Sequence, residues 1–339
     1  MYLFLIPFLL LGVTYLKAEE HTQQPNIVLI LADDLGYNDV SYNGYPQITT
    51  PNIDALALNG IILRNYYGEW LCTPSRGSLF TGKYASRLGL QHSGIKGGED
   101  SGLPLDEITL AQRLKKLGYD TYMIGKWHLG YSTKDRLPTF RGFDSFFGYL
   151  NGLIGYYDHT YCQKTHIPSK PFYFGKDLYN GSTPVKGRDG EYATRMFTEQ
   201  AEHVILSHDT SKPLFMYMAQ IAPHKGNFYK RLEAPEEAIN KFKYIEHMER
   251  RIYAGGDIAD LGPIDGNDMW DALVKDSPSP RTHALLNLDP IFGTSSFRSG
   301  DMKLVNGTTP IYSLWRYPNG IESSIPLLLM IGFSKMEAL

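Results

Sequence analysis

The sequence predicts an α/β fold, a central and mostly parallel sheet sandwiched between helices. Three observations carry this expectation. Residues 26–32 (Asn-Ile-Val-Leu-Ile-Leu-Ala) form an unbroken apolar run, the pattern of a parallel strand buried on both faces. Strand-like and helix-like segments then alternate along the chain, as layered α/β domains require. Charged and polar residues gather where the apolar strands end, and open α/β sheets place their ligands at those carboxyl ends.

The elements follow in order. The first strand, 26–32, runs into Asp33-Asp34 and then Leu35-Gly36-Tyr37. Residues 50–57 (Thr-Pro-Asn-Ile-Asp-Ala-Leu-Ala) read as a helix start, with Asn52 or Asp54 near the first turn in a structural role. Residues 105–117 have helical spacing, with Asp106 and Glu107 in the first turn and Lys115 and Lys116 in the last, as the macrodipole prefers, and Gly118 as a stop. A strand at 119–124 leads into Gly125-Lys126-Trp127-His128. A helix at 191–207 and a strand at 214–220 follow, the strand ending in Ile221-Ala222-Pro223-His224. Residues 276–282 (Asp-Ser-Pro-Ser-Pro-Arg-Thr) make a surface turn.

The chain has 339 residues, enough for one large domain or two unequal ones, and its 42% apolar content is ample for a packed core. The net charge of −3 decides nothing about an anionic substrate, and the absence of a basic run gives no footprint for nucleic acid. Twenty-four tyrosines within 13% aromatic content point to some surface able to stack on flat rings or sugars, although most aromatics are core. Residues 1–16 are dominated by Leu, Phe, Ile and Tyr. That apolar stretch has the length of a signal-peptide core, with a cut after Ala18, and is short for a stable membrane span. An uncleaved anchor is the alternative, because no Lys or Arg precedes the run and Leu16 is a poor residue before the cut. Two acceptor triplets, Asn180-Gly-Ser and Asn306-Gly-Thr, fit glycosylation in the secretory pathway. Two cysteines, Cys72 and Cys162, are too few for a secreted disulfide scaffold.

Residues 72–82 read Cys-Thr-Pro-Ser-Arg-Gly-Ser-Leu-Phe-Thr-Gly, placing a thiol, a turn-forming proline and an arginine in one short window. An inert buried thiol, common for free cysteine, needs none of those neighbours. Asp33 and Asp34 are hard oxygen ligands suited to calcium or magnesium. Adjacent residues on a regular strand point to opposite faces, so joint ligation requires the strand to break there; a plain polar strand terminus is the alternative. Lys126 and His128 are two apart, project to one side of an extended backbone, and suit an anion. His224, in a loop after a proline, is open to either a structural or a functional reading.

The window at Cys72 resembles the signature of the sulfatase family, Cys-x-Pro-Ser-Arg followed by Thr-Gly, although Trp70 stands where that family usually has a small residue or proline. Residues 118–128 (Gly-Tyr-Asp-Thr-Tyr-Met-Ile-Gly-Lys-Trp-His) resemble its second motif. The resemblance implies an alkaline-phosphatase-like sandwich with a smaller carboxyl-terminal subdomain. It implies that Cys72 is oxidised by a formylglycine-generating enzyme to an aldehyde whose hydrate attacks a sulfate ester and whose second hydroxyl releases sulfate. It implies calcium at Asp33, Asp34 and the modified Cys72. Arg76 would hold the hydroxyl or metal-linked oxygen, Lys126 the sulfate and His128 the formylglycine hydroxyl; His224 would bind sulfate or protonate the leaving alcohol. Cys162 would be left a free thiol, or would have lost a partner that a fuller chain supplies. The implied partner is a sulfated small molecule or glycosaminoglycan, and the implied location is lysosomal or extracellular.

Sulfatases bring a second Asp-Asn or Asp-His pair, and then a lysine, after the Pro-His segment. Here Asp257, Asp260, Asp265 and Asp268 are not followed by Asn or His, and Asp158-His159 lies too early and looks like a substrate-loop position. Residues 250–255 resemble the helix before the missing strand, and 256–266 a segment well after it, so an internal block is absent. The expected division is a signal peptide at 1–18, an incomplete catalytic domain at 19–255, and at 256–339 a remnant of the later catalytic region and carboxyl-terminal subdomain. Residues 276–290 resemble the arylsulfatase B, I and J branch, which implies N-acetylgalactosamine 4-sulfate chemistry. Residues 325–339 have no assigned place in this resemblance. Loss of a central strand predicts an open sheet edge and a cation short of ligands, hence weak or absent turnover; a non-catalytic protein that binds sulfated glycans is the alternative.

Overall fold

The computed structural model describes residues 24–43, 48–64, 66–164 and 172–245, and four further strands at 283–289, 294–299, 302–306 and 329–334. The strands are β1 (Asn26–Asp33), β2 (Asp120–Lys126), β3 (Ser145–Tyr149), β4 (Thr160–Lys164), β5 (Phe172–Lys176), β6 (Tyr179–Asn180), β7 (Thr183–Pro184), β8 (Leu214–Pro223), β9 (His283–Asp289), β10 (Thr294–Ser299), β11 (Met302–Asn306) and β12 (Leu329–Ser334). The α-helices are α1 (Pro51–Asn59), α2 (Cys72–Thr81), α3 (Ala85–Leu88), α4 (Leu110–Lys116), α5 (Ala193–Ser207) and α6 (Glu236–Lys241).

One sheet has the strand order β12-β1-β8-β2-β3-β6-β7. Its heart, β1, β8, β2 and β3, is parallel, and β12, β6 and β7 pair antiparallel at the flanks. Strand β8 is buried at every position, so its alternate side chains feed two cores. Phe215, Tyr217 and Ala219 pack with Phe80 of α2, Trp127 and Phe143 on one face. Leu214, Met216 and Met218 pack with Met196, Phe197 and Val204 of α5 on the other. Helix α5 presents Ala193, Met196, Phe197, Ala201 and Val204 as its buried stripe, a helical spacing that matches the expected element. β9, β10 and β11 form a separate antiparallel sheet, and β4 pairs with β5.

The structure corrects two expectations. The helix expected from 105 begins at Leu110, because Thr109 caps it: its hydroxyl accepts from the Gln112 amide at 3.1 Å while the Gln112 side chain accepts from the Thr109 amide at 2.9 Å. Asp106 and Glu107 therefore precede the helix, and Glu107 pairs with Lys83. β1 was expected to be buried throughout; its amino-terminal half is only half-buried, and burial deepens toward Asp33. On the β1 side the sheet ends in β12. β12 lies antiparallel on β1 with Leu31 opposite Leu329 and Asn26 opposite Ser334, so β1 has a neighbour on each side. The signal peptide at 1–18, the turn at 276–282, the junction at 250–266 and Asp257, Asp260, Asp265 and Asp268 lie outside the described residues. No helix among the described residues is long and apolar enough to cross a membrane.

Candidate active site

Asp33 ends β1, and Asp34 breaks the strand by taking a left-handed conformation, φ +64°. A non-glycine residue there is strained, and the break removes the alternation that would send the two carboxylates to opposite faces. Cys72 is the first residue of α2, and Arg76, one turn later, shares its face. Lys126 ends β2. Just before it, Gly125 sits at φ +93° where an added Cβ would lie 2.0 Å from the Ala219 carbonyl oxygen, so only glycine lets β2 and β8 approach here. His224 follows β8 directly.

These ends converge. The Lys126 ammonium donates to Asp33 Oδ2, and Arg76 Nη2 lies 3.3 Å from Asp33 Oδ1, with all three side chains buried. Arg76 Nη1 also donates to the Lys126 carbonyl at 3.1 Å and to the Tyr217 hydroxyl at 3.0 Å. His224 Nε2 lies 3.5 Å from Asp34 Oδ2. Ligand atoms of Asp33, Cys72 and His224 lie within 4.8 Å of one another. His128 was expected on extended backbone; it lies beyond the end of β2 at φ +54°. Its amide donates to the Leu150 carbonyl at 3.2 Å and its own carbonyl accepts from Thr73 Oγ1 at 3.0 Å. Gly152 lies flat against its imidazole, where a Cβ would come within 2.7 Å of Cε1.

The electrostatics separate the two histidines. Burial would raise the Asp33 pKa, but Lys126, His224 and Arg76 outweigh it and hold the carboxyl well below its usual range. Burial alone would lower His224, yet Asp34 and Asp33 push it up to about 9. His128 is driven well below its usual value by burial and by Lys126. His128 Nε2 faces the Ile95 carbonyl at 2.8 Å, and a carbonyl only accepts, so the proton of the neutral ring sits on Nε2 and Nδ1 is a free acceptor. His224 Nδ1 faces the Lys225 carbonyl at 2.6 Å by the same logic, which leaves Nε2–H of the charged ring as a donor beside Cys72. The two histidines are thus poised oppositely, His128 as a neutral base and His224 as a charged acid.

Arg76 Nε, His128 Nδ1 and the Tyr149 hydroxyl are buried without a hydrogen-bond partner among the described residues, and Asp33 Oδ1 and Arg76 Nη2 meet each other only as an ion pair at 3.3 Å. Such a concentration of unsatisfied groups marks a place for a polar ligand. The donors also fit a hard cation in kind, since Asp33 Oδ1 is unengaged by hydrogen bonds and Asp34 stands beside it, with an oxygen to be added at position 72. Calcium takes six to eight oxygens, and among the described residues no second acidic pair joins this cluster. Asp158 and His159 are engaged elsewhere: Asp158 accepts from the Thr160 amide and the Tyr229 hydroxyl, and His159 meets the Glu191 carbonyl.

The structure therefore brings Asp33, Asp34, Cys72, Arg76, Lys126, His128 and His224 together. Asn180 is exposed on β6; Asn306 ends β11. Cys162 is a buried free thiol. Trp70 is accommodated by donating from Nε1 to the Gln91 carbonyl. Sequence reading missed Tyr217 and Tyr149, which are hidden inside apolar strands where a phenol looks like core. It also missed Tyr156, whose hydroxyl fixes the His224 carbonyl at 2.6 Å.

A family comparison matches residues 25–255 to Sulfatase, and the chain belongs to the sulfatase family. It is 44% identical over 234 residues to arylsulfatase J of Mus musculus, covering 69% of this chain and 37% of that protein. It is 31% identical over 272 residues to an arylsulfatase of Klebsiella aerogenes, covering 75% and 56%. Among solved structures, Ps i-CgsB in complex with k-i-k-neocarrahexaose superposes with a TM-score of 0.58 at 32% identity, covering 69% of this chain and 52% of that one. The chain thus spans well under two thirds of these relatives' lengths.

Proposed function

We propose that this chain is a sulfuric ester hydrolase of the arylsulfatase type that acts on sulfated sugars of glycosaminoglycans. The observation that carries the reading is the pocket itself: Cys72 at the start of α2, its sulfur within 4.8 Å of ligand atoms of Asp33 and His224, with Arg76 and Lys126 paired to that same Asp33. Hydrated formylglycine at position 72 would supply an oxygen nucleophile and a second hydroxyl for sulfate release. Calcium, held by Asp33 and Asp34 with the oxygen at position 72, would polarise the sulfate oxygens. The chain's own groups do the rest. Lys126 and Arg76 offer donors to an anion, and their buried charge favours it over neutral esters. His128 Nδ1 accepts the proton of a hydroxyl at position 72, and His224 Nε2–H gives one to the departing alcohol.

The names of the relatives support a sulfate ester substrate, and the carrahexaose complex of Ps i-CgsB supports a saccharide. The reading includes processing by a formylglycine-generating enzyme, entry to the secretory pathway with lysosomal or extracellular delivery, and glycosylation at Asn180 and Asn306. The domain division expected from the sequence, with residues 256–339 as a remnant, is part of it. The short ligand set favours a second reading in one respect, a secreted protein that keeps the anion pocket but turns over weakly.

Peptide mass spectrometry at Cys72, on material from a host with the converting enzyme, combined with aryl sulfate hydrolysis across a calcium titration, separates the two. Conversion with calcium-dependent turnover supports the hydrolase. Conversion without turnover supports the binding protein. An unmodified thiol with no calcium response sinks both the nucleophile and the metal.

A further inference from the structure

The segment that carries His224 also carries a group of exposed aromatics that the sulfate chemistry does not use. Phe228 is 58% exposed, Tyr229 42% and Phe172, on β5, 45%. The Phe172 and Phe228 rings stack at 5.4 Å with an interplanar angle of 19°, and Tyr229 meets Phe228 edge-on at 5.5 Å. Large aromatics held in mutual contact yet left open to water form a ready-made flat surface.

The surface is rigidly tied to the sulfate pocket. Asn227 is fully buried and clamps the segment to β4: its side-chain oxygen accepts from the Cys162 amide at 2.9 Å, and its amide group donates to the Thr160 carbonyl at 2.7 Å and the Tyr229 hydroxyl at 2.9 Å. The Gly226 amide donates to the Arg231 carbonyl at 2.7 Å, closing the loop. Tyr156 fixes His224 itself. Phe228 is four residues from His224, so their Cα atoms are at most ~14 Å apart, within reach of a short oligosaccharide whose sulfate occupies the pocket.

Charge decides the occupant. Lys225 and Arg231 are exposed on this segment and have no ion pair among the described residues. The neighbouring acids are engaged: Asp158 accepts from the Tyr229 hydroxyl at 3.0 Å, and Glu233 accepts from the Tyr156 amide at 2.9 Å and pairs with Lys230 at 3.4 Å. An apolar ring face on the same short segment as two exposed cations suits a pyranose whose C–H face lies on the aromatic and whose sulfate or carboxylate groups meet the cations.

We propose that Phe172, Phe228 and Tyr229, with Lys225 and Arg231, form a subsite for a second sugar unit of a sulfated oligosaccharide, next to the sulfate pocket. This rests on the sulfated-glycan reading of the pocket, and it adds that the chain prefers polymeric over monomeric substrates.

The test is calorimetric titration of the full chain with a chondroitin sulfate hexasaccharide, with its desulfated counterpart and with 4-nitrophenyl sulfate. The wild type is expected to bind the sulfated hexasaccharide at least about tenfold more tightly than either control. Phe228→Ala is expected to weaken hexasaccharide binding about tenfold, and Lys225→Gln to weaken it and flatten its salt dependence. Leu206→Ala, more exposed still but on α5, should leave it unchanged. Circular dichroism melts show whether each variant folds. Unchanged affinity in folded Phe228→Ala, equal binding of the desulfated chain, or sedimentation showing the patch buried in a dimer would each overturn the subsite. Aryl sulfate turnover and Cys72 conversion test the sulfatase reading separately, so a hydrolase without Phe228-dependent binding loses only this proposal.

Discussion

Asp33 is the residue on which the site balances. Its carboxylate is almost wholly buried and is the shared counter-ion of Lys126 and Arg76, themselves fully buried. Such a pair adds little stability over an apolar replacement, but removing one partner leaves the other charges stranded. Asp33→Asn should therefore cost about 3–5 kcal/mol of folding stability, measured by urea denaturation. A loss below about 1 kcal/mol, the scale of a surface pair, would mean that Lys126 and Arg76 find other partners. The charge pattern that singles out Asp33 was partly legible in the sequence. Asp33, Cys72, Arg76, Lys126, His128 and His224 stand in short windows whose residue types announce anion chemistry. Tyr217 and Tyr149 were not legible, because a tyrosine inside an apolar strand gives no sign of which way its hydroxyl is used.

Elements set the precision with which those residues meet. Helix α4 begins at Thr109 because the Thr109–Gln112 box satisfies its first amides, and the Thr109 hydroxyl also donates to the Arg141 carbonyl at 2.7 Å. Thr109→Ala should lower stability by about 1–2 kcal/mol, read as a shift in the denaturation midpoint without a change in slope. The acidic pair at 106 and 107 imitated a first helical turn and so displaced the predicted boundary; the cap decides it. Between β3 and β4, His159 is 2% exposed, and its ring Nε2 meets the Glu191 carbonyl at 3.0 Å. Burial lowers its pKa in the folded chain, whereas the unfolded histidine titrates near its ordinary value. A neutral ring is required for folding, so its contribution is full above pH ~6.5 and is lost as the pH falls through the folded pKa. His159→Gln, which can keep a donor, should make the decline of stability below pH ~6.5 shallower. An identical acid limb in the variant would exclude His159 from the linkage.

At the scale of the whole molecule, the seventh strand is the notable piece. β12 lies antiparallel on an otherwise parallel heart, against the strand that ends in Asp33. An uncovered β1 would present a row of unpaired backbone groups and invite edge-to-edge pairing. Truncation after residue 324 should therefore lower the melting temperature and raise light scattering at fixed protein concentration. A truncated chain that stays monodisperse with an unchanged melt would show that β1 needs no cover. This arrangement gives β1 a neighbour on each side among the described residues.

The sequence by itself determined the α/β class, the family and the identity of the groups that meet at the pocket, because these depend on local runs of residue type whose meaning survives without coordinates. Only the tertiary structure decided the protonation of the two histidines, the phenols behind Arg76, the aromatic surface beside His224 and the strand that covers β1. Those depend on burial and on pairings between positions far apart in the chain. Desolvation and non-local backbone hydrogen bonding are properties of the packed molecule that no short window of sequence contains.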